Sequence, residues 1–325
     1  MTPPHHPPPN PLDLGEVSRS DGGGNSYNTQ VVALENLTQI NLDDLINALG
    51  IQNHWTLTRL TRYLFRGAAR KFAKQMIDFD SIAGAHGLAE AARLTERLYA
   101  RDVRVIGADC LPDSAFLALA NHPGMTDTLA LFATLKRDDL KIIALDRPFL
   151  LSLPNISKQL FYVTDNPADR VALVRHVSAH LRTGGSILTF PAGHNEPDPD
   201  VYDGAVDSLQ SWTDSVGVFL RLAPQTPIIP IVVRSVVWKR MAGSPVIRIK
   251  HTRDERELLV VALQLLAMVM FDIKPVTVTV QIGKPITFKE LGTTETQVIH
   301  QAVLAEMKRL IENPPEGKGK SALDE

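Results

Sequence analysis

Two stretches of this 325-residue chain set a sharp turn beside groups able to move a proton. The first is Asn121-His122-Pro123-Gly124-Met125-Thr126-Asp127, which lies between an unbroken apolar run, Ala115 to Ala120, and a helical pattern. Pro123 and Gly124 favour a tight turn that presents His122 at the end of a strand, with Asp127 returning in the first helical turn. A carboxylate in that position can accept the Nδ1 proton of the imidazole, fix its tautomer and leave Nε2 free to take a proton. That is the base and orienter of a catalytic triad, with the hydroxyl left for a substrate to supply. A helix-capping Asp beside a turn His accounts for the same spacing without chemistry.

The second stretch is Thr189-Phe190-Pro191-Ala192-Gly193-His194-Asn195-Glu196, again directly after an apolar run. Proline and glycine around polar residues suit a backbone that approaches a ligand closely, or simply a tight loop. Together the two loops resemble the glycerolipid (lysophospholipid) acyltransferase family, the 1-acylglycerol-3-phosphate acyltransferases among them. The likeness is carried by Asn121-His122-Pro123-Gly124 with Asp127, a His-x4-Asp pattern, and by Phe190-Pro191-Ala192-Gly193. Ile228-Ile229-Pro230-Ile231-Val232-Val233 is similar to the family's apolar strand with a central proline, and Val103 to Gly107 with Leu111-Pro112 to its lead-in. Order and spacing agree over about residues 100 to 240.

The resemblance implies direct transfer of an acyl group from a thioester, acyl-CoA or acyl carrier protein, to a hydroxyl of a glycerolipid or lysophospholipid-like acceptor. His122 would be the general base and Asp127 its orienter; Asn121, Gly124, Phe190, Pro191, Gly193, His194 and Pro230 would line the substrate. Backbone amides near Gly124 or Gly193 would stabilise the oxyanion. The thioester is a co-substrate, and neither a further cofactor nor a metal is expected. Where the family carries an acid between Pro and Gly and then Thr-Arg, this chain has Ala192, His194 and Asn195; Leu160 to Asp165 also lacks the family's arginine. An imidazole does not replace a bidentate guanidinium, so a phosphate-bearing acceptor would need another cation. Arg147 is the first candidate, with Arg221 and Arg234 more remote. Other readings are a lipid-binding or scaffold protein that kept this fold, and an acyl thioesterase.

No Gly-x-Ser-x-Gly elbow, P-loop lysine motif or Gly-x-Gly-x-x-Gly occurs in the sequence. His176 and His180 stand one helical turn apart without an evident third metal ligand. Cys110 is the one cysteine, which excludes an internal disulfide and fits a reducing compartment.

The elements needed to position these loops follow from periodicity. From Val103 onward strands and helices alternate: strands at 103–107, 115–120, 141–145, 160–163, 186–190, 228–233, 246–249 and 276–282, and helices at 128–136, 170–182, 216–222 and 295–311. That order predicts an α/β fold with a mixed, largely parallel sheet flanked by helices, its chemistry beyond the strand carboxyl ends. Ahead of it the sequence predicts an N-terminal helical membrane-docking pair within 35–100, with a short helix capped by Asn41 and a second helix near 81–101. The chain then divides into a disordered tail (1–30), these helices (35–100), an acyltransferase domain (101–312) and a flexible tail (313–325).

From Trp55 to Met76, a helical projection places Leu57, Leu60, Leu64, Phe65, Ala68 and Phe72 on one side, and Arg59, Arg62, Arg66, Arg70 and Lys74 on the other. Such a helix suits a membrane surface, where cations meet lipid phosphates, or core packing with a solvated basic face. The N-terminus lacks a signal-peptide pattern, and the apolar run Leu258 to Phe271 is too short to span a bilayer. With 34 basic and 36 acidic residues no overall field favours nucleic acid. The resulting expectation is a cytoplasmic protein peripheral to a membrane.

Overall fold

The computed structural model describes residues 22–164 and 166–324. In chain order its elements are α1 (Gly22–Leu49), α2 (Trp55–His86), α3 (Leu88–Glu96), β1 (Ala100–Ile106), β2 (Leu117–Ala120), α4 (Met125–Leu135), β3 (Lys141–Leu145), α5 (Pro148–Leu151), α6 (Pro154–Ser157) and β4 (Leu160–Val163). There follow α7 (Pro167–Arg182), β5 (Ile187–Thr189), α8 (Ser215–Leu222), β6 (Ile228–Arg234), α9 (Lys239–Ala242), α10 (Arg253–Phe271), β7 (Val276–Ile282), α11 (Phe288–Leu291), α12 (Thr296–Glu312) and β8 (Lys320–Ser321).

The eight strands form one sheet in the order β4-β3-β5-β2-β6-β7-β1-β8. Five neighbouring pairs are parallel, and β6–β7 and β1–β8 are antiparallel, so the expected mixed, largely parallel sheet between helices is what the chain forms. Its centre is β2 and β6, whose residues are all buried, because a strand covered on both faces needs apolar side chains on both. On one face Phe72, Met76 and Phe79 of α2, Leu88 of α3 and Leu129 of α4 pack with Val103, Val233 and Val280. On the other, Val177 of α7, Phe219 of α8 and Val303 and Met307 of α12 pack with Leu119 and Val232. The N-terminal helices therefore share the core of the sheet rather than forming a layer of their own.

Several expectations change. The tail expected over 1–30 lies, for residues 1–21, outside the described residues; from Gly22 the chain is already helical, and Asn41 is not a cap but donates from Nδ2 to Ala69 O in α2. Leu37, Leu42 and Ile46 are buried along this helix, and Leu34 packs partly against the core. The second N-terminal helix does not start near Ser81, which is inside α2; the break comes at Gly87, whose φ of 87° a residue with a Cβ adopts poorly. Residues 245–249 form a 3₁₀ turn, not a strand, since Pro245 leads and Ile247 alone reaches the core. The C-terminal segment is not a free tail: β8 pairs with β1, and Ala322 and Leu323 are buried in the core.

Candidate active site

The first loop leaves β2 at its carboxyl end. Asn121 does not face a substrate: its side chain donates to Val233 O (2.9 Å) and accepts from Val233 N (2.7 Å), which locks the ends of β2 and β6 together. The chain then turns through Pro123-Gly124 into α4, placing Asp127 in the first helical turn. Asp127 is fully buried, and its Oδ2 lies 2.9 Å from His122 Nδ1 and 2.9 Å from the Gly124 amide, while Oδ1 accepts from Thr128 Oγ1 at 3.0 Å. A carboxylate can only accept, so Nδ1 carries the imidazole proton and Nε2 is the lone-pair nitrogen. Among the described residues Nε2 has no partner, and the ring is 28% exposed, open enough to meet a substrate.

The second loop supports the first. Phe190 sets its ring against His122 with centroids 4.6 Å apart. Glu196 holds the His122 backbone from both sides: its N–H donates to His122 O (2.9 Å), and its Oε2 accepts from His122 N (3.2 Å). The other carboxylate oxygen accepts from Trp212 Nε1 (2.7 Å) and Ser208 Oγ (3.1 Å). Two residues on, buried Asp198 accepts from the amides of Ser235, Val236 and Val237 after β6. Two buried acids thus tie together the loops that follow β2, β5 and β6.

The electrostatics follow from these contacts. Burial disfavours the His122 imidazolium, but the charge and hydrogen bond of Asp127, with the charge of Glu196, outweigh it and hold the pKa above its ordinary 6.5. The Arg147 charge opposes that rise, so this exposed side chain after β3 lies within electrostatic reach of the imidazole. Burial raises the pKa of Glu196 against the three hydrogen bonds it accepts. Behind Asp127, Glu96 of α3 is wholly buried with neither carboxyl oxygen partnered; burial and the Asp127 charge push its pKa well above the ordinary carboxylate value.

The remaining expected site residues divide. The Gly124 and Gly193 amides are committed to Asp127 Oδ2 and Phe190 O, which removes both as oxyanion donors. Gly193 has φ 72° and open space where a Cβ would sit, so it serves a tight turn rather than a close approach to a ligand. Pro191 is buried with its carbonyl accepting from Thr213, and Pro230 is buried within β6 beside Leu119; neither is placed to touch a substrate at His122. His194 is exposed and bonded to Ala192 O. Arg234 is a structural residue, bound to Asp200 and the last carbonyls of α12. His180 is bonded to Asp139 O and packs on Phe161, as does His176. Glu196 closes the second stretch without a motif to assign it a role, and Asp198 and Glu96 lie outside both stretches; an acid in a strand-end loop signals the first two, and nothing in the sequence separates Glu96 from a surface glutamate.

On α2 the basic face is not free. Arg62 pairs with Asp43, and Arg66 (2.8 Å) and Arg70 (3.8 Å) with Glu35, all on α1; Arg59 lies over the Trp55 ring, and Lys74 is exposed. The apolar side is split: Phe72, Met76 and Phe79 enter the core, whereas Leu57, Leu60 and Leu64 are 47–57% exposed, and Trp55 and Tyr63 of the same helix more exposed still. No helix among the described residues is long and apolar enough to cross a membrane.

No protein-family model matches the sequence, and no curated protein matches it. One similar solved structure is that of the 1-acyl-sn-glycerophosphate (LPA) acyltransferase PlsC from Thermotoga maritima, 17% identical, with a TM-score of 0.42. The match covers 85% of this chain and 97% of that one.

Proposed function

We propose that this chain is an acyltransferase that moves a fatty acyl group from acyl-CoA or acyl carrier protein to a hydroxyl of a glycerolipid or lysophospholipid-like acceptor. One observation carries the reading: a partly exposed imidazole whose Nδ1 is held at 2.9 Å by a buried carboxylate, with Nε2 unpartnered, at the carboxyl end of a central strand. The acceptor hydroxyl gives its proton to His122 Nε2 as its oxygen attacks the thioester carbonyl. The tetrahedral intermediate collapses with cleavage of the C–S bond, and the thiolate takes the proton back from the imidazolium. Asp127 holds the tautomer and stabilises the imidazolium without accepting the proton. With the Gly124 and Gly193 amides committed, the first-turn amides of α4 are candidate oxyanion donors, and the Arg147 charge is available to an acceptor phosphate.

The exposed apolar half of α2 is the membrane-facing element in this reading, with its arginines secondary because α1 already pairs three of them. Donor and acceptor are then met at a bilayer surface, with the protein peripheral to it.

The test is thiol release from a long-chain acyl-CoA, repeated with acyl carrier protein as donor, across acceptors with and without phosphate. Acceptor-stimulated release that falls by ~10²–10⁴-fold in His122→Ala, in a protein that stays folded, is the expected result. Release indifferent to every acceptor makes the protein a thioesterase. No release with either donor, or a fully active His122→Ala, overturns the reading.

A further inference from the structure

A second polar cleft lies on the sheet face opposite α2 and owes nothing to His122. Its floor is set by register. Arg234 of β6 is paired with Thr279 of β7, and Thr279 with Arg104 of β1, so these three side chains stand in one row on one face. Their neighbours Val233, Val280 and Val105 point into the core on the other face, which fixes the row's direction. The C-terminal segment crosses above the row: Pro314, Pro315, Gly317 and Lys318 roof a cleft of about 310 Å³ before β8 pins the chain to β1.

The groups in the cleft are unequally committed. Arg234 is 4% exposed at its side chain; its two terminal nitrogens bind Asp200 and the α12 carbonyls, yet its Nε–H is buried with no partner. Asp200, which also lines the cleft, has one oxygen on Arg234 and the other on Ser235 Oγ. Arg104 pairs through a single nitrogen with Asp102, whose second oxygen accepts from Ser321 Oγ in the strap. Lys318 forms no ion pair among the described residues. The lining of the cleft thus carries three cations, Arg104, Arg234 and Lys318, against one carboxylate, Asp200, which is already in use.

We infer that this cleft is a binding site for a small soluble molecule bearing a phosphoryl group, held by Arg104, Thr279 and Lys318 over the buried charge of Arg234. A phosphoryl group has several acceptor oxygens for donors arriving from floor and roof, which one carboxylate does not match. The volume exceeds that of a bare phosphate and leaves room for a short organic or second phosphoryl group. A lipid source is disfavoured by position, since α2 packs on the opposite face of the sheet. Bridging Lys318 to the sheet would fasten the strap, so binding should also slow its opening.

The experiment is isothermal titration of the full-length protein with pyrophosphate and with inorganic phosphate at constant ionic strength, together with hydrogen exchange at residues 314–323. Saturable binding, weakened about tenfold or more in Arg104→Gln and in Lys318→Gln and kept in Arg147→Gln, is the expected result, with slower exchange of the Ala322 amide that bonds Val103 O. Lys318 is exposed, so its variant tests the site even if Arg104→Gln loosens the strap. Loss of binding in Arg147→Gln instead would move the anion to the His122 cleft. Absence of saturable binding of either anion would also overturn the inference. The titration needs no acyl transfer and is independent of the fate of the proposed activity.

Discussion

The turn at His122 and the first half of α2 both gather charged side chains, and they are built in opposite ways. At the turn each charge is buried or nearly so and committed to one geometry: Asp127 accepts three hydrogen bonds, Glu196 three more, and the neighbouring strands are locked through Asn121. On α2 the ion pairs are half exposed, and large apolar side chains lie open to solvent. Burial makes an interaction strong and specific in direction, whereas exposure leaves it weak and available to a partner. Changes at the turn should therefore alter rate, and changes on α2 should alter where the protein goes while leaving rate on soluble substrates untouched.

The largest effect is expected from Asp127→Asn. An amide nitrogen opposite Nδ1 favours the wrong tautomer, so turnover should fall by ~10²–10⁴-fold with the fold retained. The pH profile sharpens the test. In the proposed reaction the base works as neutral imidazole, and its pKa is held above 6.5, so the acid limb of kcat/KM in the wild type should lie above that value, with activity rising as pH passes through it. Removing the Asp127 charge leaves burial as the leading influence on the imidazole, and the limb of the residual activity should move to lower pH. An unmoved limb would show that another group titrates.

On α2, replacing Leu57, Leu60 and Leu64 together by serine should weaken sedimentation with lipid vesicles. Each leucine is about half exposed, and inserting that remainder is worth ~1 kcal/mol apiece, so the partition coefficient should fall by roughly two orders of magnitude. Acyl transfer between soluble short-chain substrates should not change. If transfer falls while vesicle binding holds, the surface has a part in the site and the contrast between the two regions fails.

The two regions were also unequally legible. The His122–Asp127 pair could be read because turn chemistry, strand end and first helical turn are all local, within six residues. The parallel sheet was legible from its apolar runs. Glu196 reaching back to His122, and Asn121 reaching Val233, are contacts across 74 and 112 residues that no periodicity encodes. The same applies to α2: a helical projection gives the two sides of a helix but not what stands against them. It joined Leu60 and Phe72 in one stripe, although only Phe72 meets the core, and it could not show that α1 supplies Glu35 and Asp43 to the basic side. The C-terminal segment reads as a flexible tail because Pro314-Pro315 ends a helix in sequence terms, while the edge of β1 that captures Lys320–Ser321 is some 215 residues away.

The smallest effect belongs to Glu35, and it separates the two contributions to α2. Its carboxylate is held below the usual range by the Gln39 hydrogen bond and by Arg66 and Arg70, yet the pairs are about half exposed, so Glu35→Gln should cost under ~1 kcal/mol of stability in chemical denaturation. The same change releases two arginines toward any anionic surface, each worth ~1 kcal/mol near acidic lipid. Binding to vesicles containing anionic lipid should therefore rise by up to roughly thirtyfold at low salt, while binding to neutral vesicles stays as it was. Equal gains on both lipids would point to a loosened α1 exposing apolar surface. No gain on anionic vesicles would mean that the basic side faces away from the bilayer, leaving the leucines to do the docking alone.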